Sequence, residues 1–257
     1  MKPPRLPAIT LAVALLALAL GLAAWQLAAS TGLLAGALGV DTYLAPSPAE
    51  VASALWENRS LLAENAWVTL KEILLGFLCG LTAGLAFAVL LRLSETLRRA
   101  FYPLLVASQV IPIVVIAPIL LVWFGFGIGP KLIVVALICF FPITVSATDG
   151  LRSVDPEGIK MMRTLDASRR QVLWRVEAPT ALPRAFSGAR IAVAFAPIAA
   201  IFGEWVGAQS GLGVLIREDS AQLETARMFA ETAILVAIAL ALFGLLALAE
   251  RRVVTWR

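Results

Sequence analysis

Apolar positions in this chain do not alternate with polar ones; they run on. Six stretches, at about 9–29, 67–91, 102–124, 132–148, 187–206 and 229–249, carry few charges. Each is long enough for a helix to cross an apolar layer of roughly 30 Å. Continuous runs fit helices rather than the alternating strands of a barrel. The pattern predicts an all-α membrane protein of about six spans forming one domain.

Punctuation within the runs adds detail. In the second, Gly76, Gly80 and Gly84 recur every four residues, which predicts close approach of another helix. In the third, Pro112 and Pro118 each remove a backbone donor and predict a bent helix. A turn follows at 125–130. Between the first two runs, Ser47-Pro48-Ala49-Glu50 is a capping box with proline at the first helical position. It predicts a short amphipathic helix on Val51, Leu55 and Trp56, too polar to span. After the fifth run, a loop at Ser210–Gly213 leads into a polar helix ending near Ala226. The first run follows Lys2 and Arg5; it is longer than a signal-peptide core and further runs follow, so it reads as a retained helix.

Composition agrees with the pattern. Of 257 residues, 60% are hydrophobic and only 15% charged, and mean hydropathy is +0.89. A soluble domain carries nearer a quarter charged residues. The chain has no histidine, which removes the commonest general base and metal ligand and argues against an enzyme or a metal site. Cys79 and Cys139 both sit in apolar runs and read as buried, unreactive thiols. The net charge of +4 reads as membrane topology, not nucleic-acid binding.

Six spans place both ends on one side. Sixteen of the 21 basic residues then share that side; the other five are Arg59, Lys71, Lys131, Arg217 and Arg227. The positive-inside bias puts both termini and the long polar segment 149–184 in the cytoplasm of a multi-pass inner-membrane protein.

That segment is patterned. Asp155-Pro156-Glu157 reads as the start of a helix from Pro156 to about Leu165, and Ser168–Gln171 as a capping box opening a second, Arg169 to about Glu177, stopped by Pro179. The spacing fits two roles equally. One is a docking element whose methionines adapt to a partner's groove; the other is a linker lying on the bilayer.

Gly150-Leu151-Arg152-Ser153-Val154-Asp155-Pro156-Glu157, Met162-Arg163-Thr164-Leu165-Asp166-Ala167-Ser168 and Ala181-Leu182-Pro183 resemble the loop of binding-protein-dependent ABC importer permeases, in the nitrate/sulfonate/taurine branch. Leu44–Pro48, Trp123-Phe124-Gly125, Phe141-Pro142-Ile143, Gly203-Glu204-Trp205 and Ser210–Gly213 extend the likeness over most of the chain after residue 44. The resemblance implies a type I importer permease fold, with the loop as a coupling helix that docks a cytoplasmic ATPase through Ile159, Lys160, Met161, Met162, Arg163, Thr164, Leu165, Asp166 and Ala167. The family's E-A-A-x3-G pattern falls here on Lys160, Met161, Met162 and Asp166, a departure at every named position that implies a dedicated ATPase.

The chain has no phosphate-binding loop, so ATP and Mg would be used by the partner ATPase, and this subunit would bind no cofactor and catalyse nothing itself. The resemblance further implies an external solute-binding protein as partner and alternating access between two permease subunits; closed symmetric dimers being the commonest oligomers, a homodimer is expected. Residues 203–227 and the 250–257 tail look most like permeases for thiamine-precursor pyrimidines of the hydroxymethylpyrimidine type; sulfonate, taurine and nitrate stay open.

Candidate pathway residues are Gln109, Trp123, Glu204 and Trp205. Glu204 and Trp205 also fit an interfacial anchor, Trp123 an aromatic belt, and Gln109 a helix–helix bond. An ion-coupled secondary transporter is the main rival, but it calls for internal repeats and midplane acids. No repeat is clear, and Glu72 and Glu204 lie near outer ends.

Overall fold

In lipid each run must close its own backbone hydrogen bonds, and helices do so. In a computed structural model, which describes residues 8–256, every regular element among them is helical. Five helices are long and apolar enough to cross a membrane: α1 (Ala8–Ser30), α4 (Arg59–Leu93), α7 (Ile128–Arg152), α10 (Ala178–Gly207) and α12 (Thr225–Val253). Two shorter helices, α5 (Glu95–Ser108) and α6 (Ile113–Phe124), reach that length and apolarity only as a pair and meet at 103°, the geometry of a broken span or a re-entrant loop. The remaining helices are α2 (Leu33–Leu38), α3 (Pro48–Glu57), α8 (Pro156–Thr164), α9 (Arg169–Val172) and α11 (Leu212–Gln222). Lys2, Arg5 and Arg257, used above to orient the chain, lie outside the described residues.

The centre is a three-helix seam. α7 lies between α4 and α10, and a core runs through Ile73, Val135, Cys139, Ile143, Ala192 and Ala196. Gly76, Gly80 and Gly84 all face α7. A Cβ on Gly80 would stand 2.6 Å from the carbonyl oxygen of Ala136 and 2.8 Å from the Cβ of Cys139. Both neighbours belong to the α7 backbone or its first side-chain atom, so neither can swing aside. Gly80→Ala is therefore expected to cost about 1–3 kcal/mol by overpacking. The check is thermal unfolding in detergent against Gly244→Ala, which meets open space and should leave Tm unchanged or raise it.

α12 packs on α10, and α1 reaches the bundle through α3 and α12. Trp25 of α1 donates through Nε1 to the carbonyl of Pro46 at 3.1 Å and packs on Phe229, with ring centroids 5.8 Å apart. The capping box at Ser47 forms, with Glu50 accepting from the Ser47 backbone.

The structure corrects several expectations. The third span is broken, not bent: it parts at 109–112, while α6 continues through Pro118. On α3, Val51 is buried but Trp56 faces outward. Cys79 is exposed on the outer wall of α4; only Cys139 is buried. Pro179 does not stop the second loop helix. Residues Leu173–Glu177 form a π turn, and the helix runs on as α10. The wider turn lies where the Pro179 ring would otherwise meet the carbonyl four residues back.

Candidate functional site

One end of the bundle carries the loop between α7 and α10. Asp155 caps α8 by accepting from the Glu157 amide at 3.0 Å. α8 ends in a Schellman-type turn: the Ala167 amide donates to the Met162 carbonyl at 3.1 Å, and Asp166 takes a left-handed φ of 56°. This is where the family pattern has glycine, and aspartate tolerates that backbone. Ser168 and Gln171 then form the second capping box. The loop is fastened by Glu177, buried and ion-paired with Arg92 at the end of α4.

α8 itself has no buried residue. Met161 and Leu165, one turn apart, are 64% and 70% exposed. Lys160, Arg163, Thr164 and Asp166 are exposed too, while Ile159, Met162 and Ala167 are half-buried toward the body. The nine loop residues singled out from sequence thus form a single projecting unit with a small apolar face.

The second feature lies at the break between α5 and α6. Three tight turns close it, with the amides of Gln109, Val110 and Ile111 donating three residues back. Pro112, lacking an N–H, starts α6. Irregular backbone at membrane depth is tolerated where it lines a cavity. A groove of about 390 Å³ opens there, lined by Ser108, Gln109, Pro112, Ile138, Phe141 and Phe195 among others, with no charged residue. Gln109 is exposed in it.

The other three pathway candidates lie elsewhere. Trp123 is 72% exposed at the far end of α6. Glu204 lines no open space: it is fully buried at the end of α10. Its carboxylate accepts from Thr69 Oγ1 at 2.6 Å and from the Gly213 amide at 2.5 Å. Thr69 Oγ1 in turn accepts from the Leu212 amide at 2.9 Å, and Asn65 Oδ1 from the Gly211 amide at 2.7 Å. Trp205, half-exposed beside it, donates to the Gly213 carbonyl at 2.9 Å. Glu204 and Trp205 therefore clamp the turn 208–213, which leads into α11, onto α4. Sequence reasoning passed over Asn65 and Thr69. Their signal was present: 65, 69, 72 and 76 share one face of α4 with the glycines. It also passed over the ion pair of Glu72 with Lys131 and the buried Glu231.

Residues 76–255 match the family described as the binding-protein-dependent transport system inner membrane component. The chain belongs to that family. It is the permease subunit of an ABC importer. The permease is 41% identical over 85% of its length to a probable ABC transporter permease protein of Haemophilus influenzae, covering 87% of that protein. It is 37% identical to the formylaminopyrimidine transport permease protein ThiX of Halalkalibacterium halodurans (84% of this chain, 86% of that one). It is 38% identical to the riboflavin transport system permease protein RibX of Chloroflexus aurantiacus (85% and 82%). In fold it is similar to a chain of the inward-facing MetNI methionine ABC transporter, with a TM-score of 0.65 at 22% identity (77% of this chain, 97% of that one). That likeness covers an importer permease fold, in keeping with the apolar helices found here.

Proposed function

We propose that the permease imports a neutral heteroaromatic solute, a thiamine-precursor pyrimidine of the hydroxymethylpyrimidine type, handed over by an external binding protein. Two copies enclose the pathway, each contributing its groove at the α5–α6 break. Both termini and the α8 loop lie in the cytoplasm. There a separate ATPase uses ATP and Mg, while this subunit catalyses no reaction and binds no cofactor.

The observation that carries the substrate choice is the lining of the groove. Sulfonate, taurine and nitrate bring a permanent anionic group, and desolvating it calls for a cation or several donors. The groove offers the Gln109 amide, the Ser108 hydroxyl, Phe141 and aliphatic side chains, with no charge. An amide donates and accepts at once, which suits the edge of a pyrimidine, and the aromatic ring suits its face. The similarity to ThiX points the same way.

The test is uptake into liposomes holding permease and ATPase, with the binding protein and a labelled hydroxymethylpyrimidine outside. Uptake is expected to require internal ATP and the binding protein, and to be competed by formylaminopyrimidine but not by taurine. Competition by taurine or nitrate overturns the substrate, and competition by riboflavin alone moves it to the flavin class. Uptake driven by an ion gradient without ATP overturns the mechanism.

A further inference from the structure

A pocket of about 270 Å³ opens at the foot of the α8 loop, where the end of α4, the start of α5, α8 and α9 meet. Three arginines line it, Arg92, Arg163 and Arg169, against two acids, Glu95 and Glu177. Both acids are already engaged. Buried Glu177 accepts from Nε and Nη2 of Arg92, and Glu95 accepts from Arg98 and Arg99, which lie outside the lining. Arg163 and Arg169 pair with no side chain among the described residues. Nη1 of Arg92 is left unbonded as well. The pocket therefore gathers two uncompensated positive charges and the spare donors of a third guanidinium.

Its position limits what can enter. The apolar run of α4 ends at Leu91, and Arg92 and Leu93 follow it into the lining. Leu93 is 51% exposed although it borders a charged pocket, and Trp174, next to the lining Leu173, is 61% exposed. Exposed tryptophan is favoured at the headgroup level of a bilayer. The pocket thus opens where α4 leaves the apolar layer, with a basic interior and an apolar edge. The planar fork of arginine fits the oxygens of a phosphate group. Basic pockets between spanning helices on the cytoplasmic side suit anionic headgroups. Met161 and Leu165 are not part of the lining, so the pocket lies off the small apolar face of α8.

We propose that this pocket binds a phosphate group, carried by an anionic lipid of the cytoplasmic leaflet or free in solution, between Arg163 and Arg169, with Arg92 donating from the floor. The bound anion ties α8, which buries no residue of its own, to the ends of α4 and α5. The inference rests on the cytoplasmic placement of the α8 loop given above. It adds a ligand site that neither solute transport nor ATPase docking calls for. Arg163 and Arg169 are both exposed, so the affinity falls as salt rises.

The experiment titrates the delipidated full-length permease, in neutral detergent, with phosphatidylglycerol, with zwitterionic phosphatidylcholine and, separately, with inorganic phosphate. Bound ligand is read by native mass spectrometry and by Tm. Phosphatidylglycerol is expected to bind roughly tenfold or more tightly than phosphatidylcholine and to raise Tm. Arg163→Gln combined with Arg169→Gln should weaken it about tenfold or more. Arg169→Lys, which keeps the charge and loses the fork, should weaken it several-fold. Arg251→Gln combined with Arg252→Gln, an equal loss of charge in the last turn of α12, should leave it unchanged. Inorganic phosphate that raises the Tm of the wild type but not of the Arg163/Arg169 variant, with no preference between the lipids, assigns the site to the free anion. Equal losses in the two double variants mean a general attraction to basic surface and overturn the pocket. So does a wild type that selects neither phosphatidylglycerol nor phosphate. The unliganded Tm of each variant guards against misfolding. Because binding is read without a membrane, its failure leaves the importer reading to the uptake test above.

Discussion

Glu204→Ala is expected to lower the Tm of the purified permease by roughly 10 °C, a loss of about 3–5 kcal/mol. The change strands the Gly213 amide, a donor that water cannot reach, and leaves the Thr69 hydroxyl only its longer bond to the Asn65 carbonyl at 3.2 Å. It also empties a carboxylate-sized space among fully buried side chains. Glu204→Gln keeps one acceptor oxygen and most of the volume, so it should lose about a third as much. Gly211→Ala should be at least as damaging as Glu204→Ala. Its Cβ would stand 2.2 Å from Glu204 Oε1, and its φ of +126° is one that side-chain-bearing residues rarely adopt. Because the clash is with Glu204 itself, the two substitutions should not add. In the Glu204→Ala background Gly211→Ala meets no carboxylate, and only the backbone strain remains. A double-mutant cycle reads this directly. Strict additivity would mean that the turn 208–213 is held by something other than the carboxylate.

This clamp also marks where reading the chain stops. Local signals carry far. The capping boxes at Ser47 and Ser168 each involve atoms within four residues, and both form as their spacing requires. The four-residue recurrence of Gly76, Gly80 and Gly84 needs only helical geometry to predict a seam. Pro112 announces the loss of a donor in the third span. The 103° turn, however, depends on how α6 settles against α7 and α10, and a proline alone does not specify it. Pro179 misleads for a related reason. A π turn ahead of it absorbs the missing hydrogen bond, and residues Leu173 and Glu177 are held in that turn by burial against the bundle. Glu204 is the clearest case. Near the end of a span it looks like a hydrated anchor or a pathway group. Its partners are Thr69, 135 residues away, and an amide beyond a glycine turn. Only the assembled bundle turns an apparently surface acid into a buried hub.

The α8 loop, which we propose docks the ATPase, answers to the opposite logic, because its exposed face contributes nothing to the fold. Met161→Asp combined with Leu165→Asp is expected to abolish co-purification with the ATPase while leaving the permease's own Tm within about 1 °C of the wild type. Both side chains already face water, at 64% and 70% exposure, and α8 buries none of its residues in the subunit. Removing them therefore forfeits no packing within this chain. In a docked complex the same two side chains would lose their water, and burial of each is worth about 1.5–3 kcal/mol. Forfeiting both weakens binding by at least a hundredfold, roughly, before counting the cost of pressing carboxylates into an apolar groove. Met162→Asp makes a less clean probe, since Met162 is half-buried toward the body and its loss would disturb the loop as well as the docking face. If the doubly substituted permease still retains the ATPase, α8 is a surface linker after all, and the grip must be sought on α9 or the basic residues around it.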